Sequence, residues 1–511
     1  MKEIINDYIK EIKYFVTNKK YMICLIIVAL LSYGFTITHY SIGIDDLCFD
    51  RYVNGTYMLS SNRWGTWLLY NLLQIHSFSP FWLDFLVTIV IISIAILISA
   101  FIRKNFKENK FDIIGYIIFS CILISYPIIF YSFMYQVTSL SVVISNLLII
   151  ISAILFYENY FNGNNKILIN IIVIVLATFS ISSYQACIET YLLIMFLEIF
   201  SKLNKNEKNE TKEIIKFFLY NIVIILTSLI IYFLVSYLII IILKNKNLLK
   251  GNFSANVIIW KKLFFQKMSI IEKVKYIVET NKKIISGLYI YNIFMKLETI
   301  FLLFIIIRET IKSIKEKNLL IVLSVIGMFV SIISLGLVQG YFISRTQFTW
   351  AISTALIWFY IYRISSNKKI LRDIITLLAI YVVLNQTYLM SKAFYNEYRR
   401  FEHERDIAID IGINITKYYD YKNKEVAYVG INAENNRNGQ VFKWGQNAFD
   451  EYDYEITKFI NYFGFNLIPM NPNNNDEVEQ IYAQMNEKQK NQIIIETDKY
   501  ILVNMKKYNL K

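Results

Sequence analysis

The stretch FLVTIVIISIAILISAFI, Phe85–Ile102, is a predominantly apolar run that ends directly before the basic segment RKNFKENK, residues 103–110. An α-helix needs roughly 20 such residues to cross the hydrocarbon core of a bilayer. An apolar run followed at once by positive charge is typical of a membrane span whose end faces the cytoplasm. The stretch therefore predicts an integral membrane protein.

Apolar runs of this kind recur through most of the chain. Of the 511 residues, 56% are hydrophobic and only 18% are charged, and the mean hydropathy is +0.42. A soluble protein of this length would carry more charge, and 4 prolines leave most of the runs free to be helical. We predict an all-α polytopic membrane protein of about 11 spans, near residues 21–40, 80–102, 112–131, 137–157, 167–184, 186–201, 216–243, 298–313, 319–338, 347–365 and 371–390.

The formal net charge of +14 is explained by topology. Most lysines and arginines lie in short alternate loops, which are cytoplasmic in the usual arrangement. This predicts membrane lipids, and no nucleic acid, as partners. An odd number of spans then places the C-terminus, and the loop after the first span, outside. Abundant Ile, Asn and Lys favour a bacterial source, so we expect the cytoplasmic (inner) membrane.

The composition changes near residue 391, where KEVAYVG and QIIIETDKYILVNMK predict strands between helical segments. We predict a membrane domain at 1–390 and a small extracytoplasmic α/β domain at 391–511. It contains no phosphate-binding glycine motif, which favours a cap on the membrane domain or a module that docks an acceptor.

Histidine and cysteine chemistry is not supported by the sequence. The 3 histidines and 4 cysteines are dispersed, and no spacing indicates a metal site, a disulfide framework or a Ser/His/Asp set. No cofactor is therefore expected, although a divalent metal stays open. The oligomeric state is not indicated.

Adjacent acids Asp45 and Asp46 occur in SIGIDDLCFDRY, residues 41–52, directly after the first span. A carboxylate near a low-dielectric surface has a raised pKa, which suits a general base. The alternative is structural, because acids also favour the first turn of a short helix. We interpret the pair as catalytic, one acid as the base and the other as its support.

Arg63 and Trp64 follow in SNRWGTW, residues 61–67. Both residue types anchor helices at a membrane interface, and arginine is also the best side chain for a phosphate. Both interpretations stay open. Polar and aromatic groups recur at other predicted outer ends, where they predict a cavity: Tyr135, Gln136, Tyr184, Gln185, Glu189 and Arg345. Gln185 and Glu189 are four residues apart and are expected to share a helix face.

The chain resembles the bacterial membrane glucosyltransferases of the Gtr type II family. The resemblance is carried by five segments in order, namely GIDDLCFDRY, NRW, SYQACIETYLL, the loop that contains Arg345 and KEVAYVG. That family is similar to the wider C-type (GT-C) membrane glycosyltransferases. The resemblance covers most of the chain, although no single motif in it is specific.

The resemblance implies an inverting glycosyltransferase that moves a sugar, expected to be glucose, from a polyprenyl-phosphate donor to a cell-surface glycan on the outer face. Asp45 or Asp46 would deprotonate or orient the acceptor hydroxyl. Arg63 and Arg345 would bind the donor phosphate, where negative charge grows.

Two other classes compete with this prediction. A flippase for lipid-linked glycans also needs a polar cavity, but it would more often show internal pseudo-symmetry, which is not apparent. A polysaccharide polymerase works on the same face with similar groups. An acyltransferase usually needs a histidine, and His76 has no obvious partner in the sequence.

Overall fold

The computed structural model describes residues 2–47, 57–106, 113–162, 166–204, 211–246, 295–334, 346–365, 367–430 and 453–506, with residues 269, 271–272, 274–275 and 278–279 between them. The chain divides into two compact units. The helical unit comprises residues 1–37 and 50–391. The C-terminal unit comprises residues 392–511 together with residues 38–49, most of which lie in the predicted outer loop.

The described residues are mostly helical. Up to residue 203 the helices are α1 (Lys2–Thr17), α2 (Lys19–Thr38), α3 (Ile44–Leu47), α4 (Tyr57–Ser60), α5 (Trp64–Leu72), α6 (Pro80–Asn105), α7 (Ile113–Ser125), α8 (Phe130–Met134), α9 (Gln136–Phe161), α10 (Ile167–Ser183) and α11 (Cys187–Leu203). A 3-10 turn, Pro127–Ile129, joins α7 to α8. The later helices are α12 (Thr211–Asn245), α13 (Met295–Glu316), α14 (Leu320–Ser331), α15 (Phe348–Ser365) and α16 (Lys369–Tyr418).

Six helical segments among the described residues are long and apolar enough to cross a membrane, namely α2, α6, α7–α8, α9, α12 and α16. Two shorter apolar helices are α10 and α14. The chain is therefore a helical membrane protein, as predicted. Each of the predicted spans overlaps a helix of the described residues, but a count of about 11 membrane crossings stays a prediction.

Helix α9 packs against three other helices of the helical unit, α6, α10 and α11. Buried hydroxyls join neighbouring helices: the Tyr21 hydroxyl is 2.7 Å from that of Ser120. Ser125 donates a 2.7 Å hydrogen bond to Gln386. Pairing of this kind avoids the free-energy cost that an unpaired polar group carries in an apolar setting.

The N-terminal helix α1 is amphipathic and packs along α6. The Tyr8 hydroxyl donates a 2.8 Å hydrogen bond to the buried Glu158 carboxylate. The Lys104 ammonium lies 3.1 Å from the same carboxylate. These contacts fix α1 to the end of α6 that carries the basic residues.

The C-terminal unit contains a four-stranded sheet in the order β2-β1-β4-β3. Its strands are β1 (Glu425–Val429), β2 (Ile468–Pro469), β3 (Ile494–Glu496) and β4 (Tyr500–Asn504). Strand β1 is parallel to β2 and β4, whereas β3 and β4 form an antiparallel hairpin with Ile495 opposite Leu502. The helices α17 (Asp453–Tyr462), α18 (Asn475–Gln484) and α19 (Glu487–Lys490) accompany the sheet. The apolar core under α18 includes Val478 and Leu502.

The sequence interpretation placed the last span at 371–390, but α16 continues well beyond it as one helix of 50 residues. No proline interrupts it, so the backbone hydrogen bonds continue where the apolar pattern stops. In the charged half, Arg400 lies 2.9 Å from Glu397 and 2.5 Å from Glu404, one turn away on either side. Such pairs add stability to this half of the helix, whose apolar side is buried at residues such as Phe401, Ile411 and Ile415.

Candidate functional site

Arg63 and Trp64 are positioned by a turn between α4 and α5. The backbone N–H of Arg63 donates to the Met58 carbonyl at 2.8 Å. Asn62 completes the turn with a φ of 60°, a backbone conformation that asparagine tolerates better than most residues. The turn therefore fixes the start of α5 and the two predicted residues with it.

Helix α5 packs very closely on the end of α10. The Thr66 hydroxyl donates a 2.9 Å hydrogen bond to the Ser183 carbonyl. A Cβ on Gly65 would lie 2.3 Å from the Ser182 hydroxyl and 2.8 Å from the Ser183 backbone nitrogen. Only glycine permits this approach.

Gln185 holds the same turn from the other side. Its side-chain amide donates to the Asn62 carbonyl at 3.3 Å and to the Tyr232 hydroxyl at 3.1 Å. Tyr232 in turn donates to the Asn62 carbonyl at 3.2 Å. Arg63 lies near enough to Tyr232 to act electrostatically on its hydroxyl. The structure thus brings the predicted residues Arg63 and Gln185 into one cluster with Tyr232, which the sequence interpretation missed.

An apolar groove of about 260 Å³ lies beside this cluster, between α4–α5 and α12. It is lined by Leu59, Trp64, Trp67, Leu68, Ile239, Ile242 and Leu243. The indole N–H of Trp64 is buried and has no hydrogen-bond partner among the described residues. A cation next to an apolar groove can accommodate an amphiphile with an anionic head and a hydrocarbon chain.

Gln136 belongs to a second buried cluster, which is built around Asp84. The Gln136 side-chain amide donates to one Asp84 carboxylate oxygen at 3.3 Å, and the Thr36 hydroxyl donates to the other at 3.0 Å. The Tyr70 hydroxyl of α5 donates to the Gln136 carbonyl at 3.1 Å. The cluster therefore joins α2, α5, α6 and α9.

Asp84 is fully buried and was missed from the sequence. It is the only charged residue in the predicted span 80–102. An ionisable side chain inside an apolar segment indicates a functional or structural role by default. The sequence therefore contained the signal that would have identified Asp84.

Glu189 is fully buried in the first turn of α11, but it does not share a helix face with Gln185. That prediction was wrong, because the helix begins at Cys187 and Gln185 lies in the turn before it. Next to Glu189, the Thr190 hydroxyl donates to Asn146 at 2.6 Å and lies 3.0 Å from the Thr349 hydroxyl. This joins α9, α11 and α15.

The two predicted tyrosines lie at helix boundaries. Tyr184 follows the last residue of α10 and packs with Val142 and Ala186. Tyr135 is half-buried between α8 and α9. Tyr184 directly precedes Gln185, which belongs to the cluster with Tyr232. Tyr135 directly precedes Gln136, which belongs to the cluster around Asp84.

Asp46 lies in the C-terminal unit, where its carboxylate accepts a 3.1 Å hydrogen bond from the Gly43 N–H. The Asp46 N–H donates back to the Gly43 carbonyl at 3.1 Å. Asp46 therefore occupies the third position of α3 and closes its first turn, as an acid does in a capping box. The Asp45 side chain and the whole of Arg345 lie outside the described residues.

The fold and the two polar clusters place the protein in a class, the integral membrane proteins whose helical bundle holds buried polar side chains. Within this class the chain matches the family model described as glucosyl transferase GtrII over residues 32–364. Because the match covers more than half of the 511 residues, the chain belongs to this glucosyltransferase family. It is a membrane glycosyltransferase, and the predicted resemblance is confirmed. No curated protein and no solved structure matches the chain.

The matched residues include α3, the turn at Arg63 and both polar clusters. They end before α16 and the sheet of the C-terminal unit. Among the described residues, no group of three or more histidine, cysteine, aspartate or glutamate side chains has the arrangement of a metal site.

Proposed function

We propose that the protein transfers glucose from a polyprenyl-phosphate donor to a cell-surface glycan, on the outer face of a bacterial cytoplasmic membrane. The observation that carries the proposal is the family match over residues 32–364. The position of Arg63 next to an apolar groove supports a donor that has an anionic head and a hydrophobic chain.

The acids after the first span supply the base in this proposal. The acceptor hydroxyl loses its proton to the carboxylate of Asp45 while its oxygen forms a bond to the anomeric carbon. The bond from that carbon to the phosphate oxygen breaks, and the electron pair leaves with polyprenyl phosphate. Attack from the side opposite the phosphate inverts the anomeric centre.

Asp46 takes the supporting role because one of its oxygens already accepts the Gly43 N–H. A carboxylate engaged in closing a helix turn is held in place but is a poorer proton acceptor. This assigns the proton transfer to Asp45 and the orientation of α3 to Asp46.

Arg63 and Arg345 bind the donor phosphate in the proposal, since a guanidinium presents several donors in a fixed plane. Charge on the phosphate grows as its bond to the sugar breaks, so these contacts strengthen in the transition state. Tyr135, Gln136, Tyr184, Gln185 and Glu189 line the sugar cavity. The groove beside Trp64 takes the first isoprene units of the lipid.

The proposal is tested by transfer of radiolabelled glucose from polyprenyl phosphate in purified membranes that contain a surface glycan. Asp45→Asn should lower the rate by roughly 100-fold or more, because general-base catalysis contributes about that much. Asp46→Asn should lower it less. Asp498→Asn, which alters an exposed acid in the β3–β4 turn, is the matched control and should be as active as the wild type.

Full activity of both loop variants would remove these carboxylates from the mechanism. If the wild type transfers no sugar from any lipid phosphate but moves lipid-linked glycan across vesicles, the protein is a carrier.

A further inference from the structure

The segment that carries the two acids, residues 38–47, is held by aromatic contacts within the C-terminal unit. The His39 ring meets Tyr398 of α16 edge-on, with ring centres 5.2 Å apart. The Tyr40 ring lies 5.6 Å from that of Phe401, one turn further along α16. Aromatic pairs in these arrangements are favourable contacts, and here they hold the segment against α16.

Phe401 connects Tyr40 to the interior of the C-terminal unit. It is only 3% exposed, and its ring lies 6.2 Å from Phe459 and 6.5 Å from Phe463. Tyr462 of α17 lies near enough to Tyr40 for their hydroxyls to interact. The aromatic cluster therefore extends from the outer-loop segment through α16 to α17.

The residues just before and within α3 are buried as well. Ile42 is 2% exposed and Asp46 is 4% exposed. Helix α3 packs directly against α17. A four-residue helix is not stable by itself in water, so α3 depends on these packing contacts.

We propose that the C-terminal unit is the platform that positions Asp45 and Asp46, with Tyr40 and Phe401 as positioning residues. This inference rests on the proposed function of the two acids. It differs from the sequence interpretation, in which the C-terminal domain only caps the membrane domain or docks the acceptor. A base must lie within hydrogen-bond reach of its proton, so packing that holds α3 acts on the chemical step.

The proposal predicts a loss of kcat without a change in KM for the acceptor. A displacement of about 1 Å costs roughly 100-fold in rate, so Tyr40→Ala and Phe401→Ala should each lower kcat by roughly 10- to 100-fold. Tyr40→Phe keeps the ring contact with Phe401 and should retain most of kcat. Tyr40 is 39% exposed, so its replacement leaves the fold intact.

The experiment combines transfer kinetics with amide hydrogen exchange on the full-length protein in membranes. The probe is the exchange of the Asp46 and Leu47 N–H groups, which donate to the Gly43 carbonyl. Val478→Ala is the matched control, since it removes buried apolar contacts under α18 in the same unit. Exchange at these two amides should rise in Tyr40→Ala and Phe401→Ala and stay unchanged in the control.

Kinetics and exchange in the two aromatic variants that match those of Val478→Ala would overturn the inference. A rise in KM for the acceptor at unchanged kcat would also overturn it and would favour a docking module. If the wild type shows no transfer, the proposed function fails, but the exchange data still decide whether these aromatic residues hold α3.

Discussion

At the scale of single residues, Asp84 shows what a buried charge requires of its neighbours. Its two carboxylate oxygens each accept one hydrogen bond, from Thr36 and from Gln136. Hydrogen bonds to a charged group are stronger than neutral ones, and leaving their buried donors unpaired is costly. Asp84 thus fixes the orientation of Gln136, a residue that we place in the sugar cavity.

We predict that Asp84→Ala destabilises the folded protein by about 2–4 kcal/mol, because two buried donors lose their acceptor. Asp84→Asn keeps one acceptor oxygen and the side-chain shape, so its loss should be about half as large. Thermal unfolding in detergent measures both. Equal stability of Asp84→Ala and the wild type would show that the cluster contributes nothing to the fold.

The C-terminal unit provides a pH prediction at the same scale. Glu477 accepts hydrogen bonds from Lys499 at 2.8 Å and from Tyr500 at 2.7 Å, and these bonds lower the pKa of its carboxyl. Because the folded-state pKa is depressed, this stabilisation is complete above the unfolded value of about 4.3 and is lost as the pH falls through the folded value.

Glu477→Gln should therefore weaken the unit at neutral pH and reduce the change in its stability between about pH 6 and 3. Hydrogen exchange of β4 as a function of pH measures this. The same pH dependence in variant and wild type would assign the acid sensitivity to other carboxylates.

At the scale of elements, the approach of α5 to α10 decides where Arg63 and Trp64 lie. The space that Gly65 leaves is already filled by Ser182 and Ser183. A methyl group there must push the two helices apart, and overpacking of this kind costs about 1–3 kcal/mol. We predict that Gly65→Ala lowers both the unfolding temperature and the transfer rate.

Gly34→Ala is the control for this prediction. Gly34 lies within α2, and a Cβ there would meet no heavy atom of the described residues within 4 Å apart from its own helix backbone. Since alanine is the better helix former, this change should stabilise the protein by about 0.5–1 kcal/mol. If the two variants behave alike, steric contact at α10 is not the reason for Gly65.

The elements themselves could be predicted from the sequence because apolar runs and lysine-bearing loops are local signals. The ends of the helices were harder to predict from the sequence. The apolar pattern does not show that α11 begins at Cys187, so the shared face of Gln185 and Glu189 was wrong. The same pattern stops before α16 does, so the last span was predicted to end near residue 390.

At the scale of the whole molecule, the pairing of residues 38–49 with residues 392–511 could not be predicted. It depends on contacts such as Tyr40 with Phe401, which lie more than 350 residues apart in the chain and leave no periodic trace. Asp45 and Asp46 could be proposed from their place after the first span. The role of the C-terminal unit in holding them needed the structure.

Topology is the last property of the whole molecule that can be tested directly. The proposed function requires the loop after α2 and the C-terminal unit to face outside. Cys48 lies in that loop, whereas Cys121 and Cys187 are buried and Cys24 is half-buried. We predict that a membrane-impermeant maleimide labels Cys48 in intact cells and that Cys48→Ser abolishes the signal.

Two added cysteines in the Cys48→Ser background extend this test to both ends of the chain. Lys488→Cys, at an exposed position on α19, should be labelled in intact cells. Lys10→Cys, exposed on α1, should be labelled only after lysis. The basic residues next to α1, including Arg103 and Lys104, favour the cytoplasm by the positive-inside rule. Labelling of Cys48 and Lys488→Cys only after lysis would place the acids inside, and a donor on the outer face could not be the substrate.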